Sequence, residues 1–158
     1  MPSAALPVRE PRKTEADLCR SGRGAEQCDH SKFSYTHPSM SKVLLVGKDW
    51  TARTLLRAQL IEEGVDVEAH ESIQAAVARL QASKEMPELL IADLSQSENL
   101  ADDISQLSQW SKLIPIWVMA GHGFNDAVAL EGRGFEKVLF RPLDVGKVLQ
   151  QIKARLAG

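Results

Sequence analysis

Pro87-Glu88-Leu89-Leu90-Ile91-Ala92-Asp93-Leu94 is the stretch that decides the fold of this chain. Residues 89 to 92 are apolar without interruption, entered through a proline and closed by one carboxylate. So short and continuous a run fits a strand buried on both faces, as in a parallel sheet. Taking a carboxylate out of water is costly, so Asp93 is expected where the strand emerges at the sheet edge. There it either marks a site or accepts a hydrogen bond from the turn that follows.

Working outward, the same unit recurs. Val43 to Val46 is a second apolar strand, followed by residues 50 to 63, where Leu55, Leu56, Leu60 and Ile61 predict one helical face stopped by Gly64. Val65 to Ala69 predicts another strand, and Ser72 is placed to cap a helix whose buried stripe is Ile73, Ala76, Val77 and Leu80. Beyond Asp93, Asn99 is placed to cap a helix carrying Leu100, Ile104 and Leu107, and Ile114 to Met119 predicts a strand entered through Pro115. A short helix around Asn125 to Leu130, broken by Gly132 and Gly134, precedes a strand at Val138 to Phe140. Pro142 ends that strand, Asp144 caps, and Val145, Val148, Leu149, Ile152 and Leu156 stripe the last helix.

Five strands alternating with five helices predict an α/β fold, a doubly wound parallel sheet joined by right-handed crossovers. In the common flavodoxin-like order 2-1-3-4-5, ligands bind beyond the carboxyl ends of strands one and three, where the winding reverses. Those ends carry Gly47-Lys48-Asp49 and Asp93, with Ala120-Gly121 and Arg141 close by. The predicted pocket is therefore Lys48, Asp49, Asp93, Ala120 and Arg141.

Composition bounds the function. A length of 158 residues suits one domain with a sizeable core, and a formal net charge of -2 gives no electrostatic pull toward nucleic acid or an anionic membrane. No apolar run approaches a membrane span, and no leader with an apolar segment opens the chain, so a cytoplasmic protein is expected. Residues 1–40 hold scattered prolines and mixed charges with no periodicity, which predicts a disordered extension ahead of a folded domain at 41–158. Met40-Ser41-Lys42 directly before the first strand is a natural opening for that domain, so translation from Met40 is one expectation. The only cysteines, Cys19 and Cys28, fall in the extension, and their spacing from His30 and His37 matches no compact zinc pattern. His70-Glu71 lacks the second histidine of a zinc-protease helix, and Gly121-His122-Gly123 lacks the residues that complete a phosphate loop. Neither motif predicts an enzyme.

The ordered set Val43-Leu44-Leu45-Val46-Gly47-Lys48-Asp49, Pro87 to Asp93, Ile114 to Ala120 and Val138-Leu139-Phe140-Arg141-Pro142 resembles the receiver domains of bacterial two-component response regulators over residues 41 to 156. That resemblance implies that Asp93 stands at the phospho-accepting position. It also implies an acidic pair for magnesium after the first strand, a hydroxyl after the fourth, a lysine before the last proline and a switch aromatic in the fifth strand. This chain has Gly47 and Lys48, Ala120, Arg141 and Val138 at those positions. Phosphoryl transfer to a carboxylate brings anion to anion and relies on metal and lysine for neutralisation. A glycine and a lysine supply no carboxylate, so no metal or other cofactor is expected, with magnesium entering only if Asp93 still accepts phosphate. Two unit charges about 4 Å apart are worth roughly 4 kcal/mol at an effective dielectric near 20, so Lys48 is expected to pair with Asp93 in the ion's place.

The resemblance thus implies an atypical, single-domain signalling module that is not an enzyme and works through a protein partner: a histidine kinase, a phosphotransfer protein or an effector. A homodimer is a further arrangement the family implies, through the face of its last strand and last two helices. No output domain is expected after the last helix, and Lys147, Lys153 and Arg155 read as a solvated face. Two other readings stay open: a working phospho-receiver using Asp93, and a small-molecule-binding domain on the same fold.

Overall fold

The computed structural model describes residues 42–121, 130 and 132–158. The expected extension at 1–40, with its cysteines and the Met40 start, lies outside these residues, as do His122, Gly123 and most of the helix expected at Asn125 to Leu130. The elements are β1 (Lys42–Gly47), α1 (Trp50–Glu62), β2 (Asp66–His70), α2 (Ile73–Ala82), β3 (Leu89–Asp93), α3 (Leu100–Trp110), β4 (Ile116–Ala120), β5 (Lys137–Phe140) and α4 (Val145–Ala157). The strands form one parallel sheet in the order β2-β1-β3-β4-β5, as the alternation predicts. Four helices are present among the described residues.

Period-two alternation divides the core into two layers, because successive strand side chains point to opposite faces. Val43, Leu45, Leu89, Ile91, Trp117 and Met119 pack under α1 and α4. Leu44, Val46, Leu90, Ala92, Val118 and Ala120 pack under α2 and α3. β3, central in the sheet, is almost wholly buried from Leu89 to Ala92. The stripes expected for α2 and α4 are in contact with the core.

Local departures have local causes. In α1 only Leu56 and Leu60 are buried; Leu55 and Ile61 are 52% and 45% exposed. At about 100° per residue, each sits to one side of the Leu56–Leu60 line rather than on it. β4 begins at Ile116 instead of Ile114, since Pro115 has no N–H for the ladder, although its carbonyl accepts the Leu90 N–H at 3.0 Å. β2 is displaced one residue from Val65–Ala69, its pairing starting at Lys42↔Asp66. Ser72 and Asp144 cap α2 and α4, accepting from the backbone N–H of Ala75 and Lys147, whereas Asn99 makes no side-chain cap at α3. Gly64 ends α1 with φ +80°, a left-handed conformation that favours glycine.

Candidate functional site

Gly47 and Asp93 are register partners at the carboxyl ends of β1 and β3. Both continue the parity of Leu45 and Ile91, so the Asp93 carboxylate emerges on the α1/α4 side. A Cβ added at Gly47 would lie 3.0 Å from the Asp93 Cβ, so the absence of a side chain at 47 is what leaves room for the aspartate. The Asp93 side chain is only 7% exposed, and both of its oxygens are bonded. Oδ1 accepts the Ser95 N–H at 3.0 Å, and Oδ2 is held by the guanidinium of Arg141. Asp93 is thus at once a strand-end carboxylate and the acceptor that shapes the following turn.

Arg141 is placed by backbone pairing: its N–H donates to the Ala120 carbonyl at 3.0 Å, one residue past β5. Arg53, on the first turn of α1, donates from its guanidinium to the Gly47 carbonyl. Asp49 starts that helix, its carboxylate accepting the Ala52 N–H at 3.1 Å.

Lys48 does not pair with Asp93. Its Nζ lies 2.7 Å from Glu98 Oε1, on the segment that leads into α3. Parity gives the reason: with Gly47 facing α1 and α4, the next side chain turns toward α2 and α3. The Lys48 ammonium holds the exposed Glu98 carboxyl below its ordinary pKa, by hydrogen bond and by charge. The cation on Asp93 is Arg141. Ala120 is fully buried, faces the α2/α3 layer and contributes its carbonyl to the site's frame. The five predicted residues therefore share one sheet edge, but only Asp93 and Arg141 touch through their side chains. Arg53, Ser95 and Glu98 were not predicted. Arg53 was legible as the residue four past the capping Asp49, and Ser95 as the residue two past an aspartate, a frequent turn contact. Glu98 carries no such signal.

The residues do not fit a magnesium ion, which takes about six oxygens at close range. Gly47 offers no carboxylate, the Asp49 carboxylate caps a helix, and Asp93 Oδ2 is covered by a guanidinium. Among the described residues no group of three or more His, Cys, Asp or Glu could hold a metal ion. No helix among them is long and apolar enough to cross a membrane.

No protein-family model and no curated protein matches the sequence. Solved structures do match the fold. The signal receiver domain of a protein described as a LuxO repressor from Vibrio parahaemolyticus is 24% identical, with a TM-score of 0.62 over 75% of this chain and 91% of that one. A response regulator receiver domain protein from Clostridium thermocellum is 15% identical, with a TM-score of 0.64 over 75% and 95%. A response regulator from Thermotoga maritima is 16% identical, with a TM-score of 0.61 over 75% and 99%. The chain has the fold of response regulator receiver domains.

Proposed function

We propose that the chain is a signalling module of the response-regulator type that acts by binding a protein partner, without catalysis and without phosphorylation of Asp93. One observation carries this reading: Asp93 Oδ2, the oxygen free to attack a phosphoryl group once Ser95 holds Oδ1, is bonded to Arg141 in a site 7% exposed at the aspartate. A carboxylate so paired is a weaker nucleophile, and attack would first require breaking the pair. The residues that would bring in a metal to offset that cost are Gly47 and Lys48, and Lys48 is committed to Glu98. What remains is a folded scaffold with exposed apolar side chains, Trp50 at 68% among them, of a type enriched at interface hot spots. Incubation of the full chain with acetyl phosphate and magnesium, followed by intact-mass measurement, tests the reading. An unchanged mass is expected. A species heavier by one phosphoryl group, and absent from the Asp93→Asn variant, refutes it in favour of a working phospho-receiver.

A further inference from the structure

Between α1 and the connection from β5 to α4 lies a cavity of about 200 Å³, floored by the ends of β1, β3 and β4. Its walls are mostly aliphatic, from Leu45, Leu56, Met119, Leu143 and Val148, and Leu55, half exposed, stands at its mouth. Three charged side chains reach it: Arg53, Arg141 and Asp93. Arg141 and Asp93 neutralise each other, while Arg53 has no carboxylate partner among the described residues and is held only by the Gly47 carbonyl. A guanidinium has five N–H donors. One bond from each arginine leaves capacity unused, and Arg141 Nε is buried with no partner among the described residues.

We infer that this cavity is a binding site for a small monocarboxylate with an apolar body. The head group follows from the charge balance. Two guanidinium cations against one carboxylate leave a single positive charge, which one carboxylate neutralises and to which the guanidinium fork is matched in geometry. A phosphate dianion would overshoot that charge beside Asp93. The body follows from the walls and the volume: a cavity of about 150 Å³ lined by apolar side chains holds a benzene molecule. At 200 Å³ this one takes an aromatic ring or short branched chain together with its carboxylate. The site rests on the reading above that Asp93 keeps its free carboxylate, since an acyl phosphate there would itself supply the anion, and the ligand titration and the acetyl phosphate test read the two separately.

The test is a thermal-shift and calorimetric titration of the full chain with phenylacetate and isovalerate, set against phenylacetamide, acetate and inorganic phosphate. Saturable binding of one or both apolar carboxylates is expected, with the amide at least about tenfold weaker, the scale on which a hydrogen bond to a charged group counts, acetate at least about tenfold weaker for want of the apolar body, and phosphate weaker for both its missing body and its second charge. Arg53→Gln is expected to weaken the carboxylates by about the same factor. Leu55→Asp places a repelling charge at the half-exposed mouth and is expected to weaken them about tenfold while the protein still unfolds in one cooperative transition. No saturable binding of either apolar carboxylate overturns the inference. Equal binding of phosphate and acetate overturns it in favour of a general anion contact, and unchanged affinity in both variants places any binding elsewhere.

Discussion

Replacing Arg141 by methionine removes the guanidinium while keeping most of the apolar stem, so the cost reports the ion pair rather than lost packing. Exposed ion pairs are worth about 0 to 1 kcal/mol, and removing one partner of a fully buried pair costs about 3 to 5 kcal/mol. Here Asp93 is 7% exposed but Arg141 is 30% exposed, and Oδ1 keeps its bond from Ser95. Water can follow the guanidinium's path to Oδ2, so an intermediate loss of about 2 to 3 kcal/mol is expected. For a folded part of this size that corresponds to a melting temperature lower by roughly 8 to 12 °C. Chemical denaturation of Arg141→Met, Asp93→Asn and the double variant closes a cycle. Asparagine retains the acceptor for Ser95, so the double variant is expected to be more stable than the sum of the single losses predicts, by about 1 kcal/mol or more. A loss below about 0.5 kcal/mol in Arg141→Met, or additive losses around the cycle, would refute the reasoning that this pair holds the site.

The remaining predictions concern the same edge and the neighbouring surface. Lys48→Met removes only a surface pair with Glu98, 87% exposed, and is expected to leave the denaturation midpoint unchanged, in contrast to Arg141→Met in the same assay. Gly47→Ala forces a Cβ to 3.0 Å from that of Asp93 and is expected to cost about 1 to 3 kcal/mol, measured as a lower denaturation midpoint at unchanged slope. Glu68 is partly buried, which raises its pKa, but His70 at 3.0 Å and Arg79 at 2.8 Å together outweigh burial and bring it below its ordinary value. Since its folded pKa is depressed, its contribution is present above the unfolded value of about 4.3 and lost as pH falls through the folded one. Glu68→Gln is therefore expected to flatten the stability profile below about pH 4.3 and leave its shape at neutral pH unchanged; an unaltered acid limb would contradict this.

The strand pattern carried the architecture because a parallel sheet covered on both faces calls for it: the uninterrupted apolar runs at 43–46 and 89–92, alternating with amphipathic helical stretches, are buried between two helical layers. The end of β3 was legible for the same reason, since a carboxylate after such a run has to sit at the sheet edge. Parity was harder. Gly47 pairs with Asp93, so residue 48 faces the opposite layer, and the lysine expected on Asp93 reaches Glu98 instead. The sequence contains that parity only once the register of β1 against β3 is known. Arg141 was placed in the pocket by strand order, but its direct hold on Asp93 depends on β5 extending its pairing to the Ala120 carbonyl. The exposure of Leu55 and Ile61 in α1 is not readable from the sequence, because a run of neighbouring apolar residues does not say which of them faces inward.

The most direct test of the reading that the Arg141 guanidinium covers Asp93 Oδ2 and keeps a divalent ion off it is a magnesium titration followed by NMR. The backbone amide of Ser95 donates to Asp93 Oδ1 and the Arg141 guanidinium donates to Oδ2, so both signals report on the carboxylate. At matched ionic strength, neither is expected to move with magnesium. A saturable, magnesium-specific shift of the Ser95 amide together with release of the Arg141 side-chain signals would contradict the account.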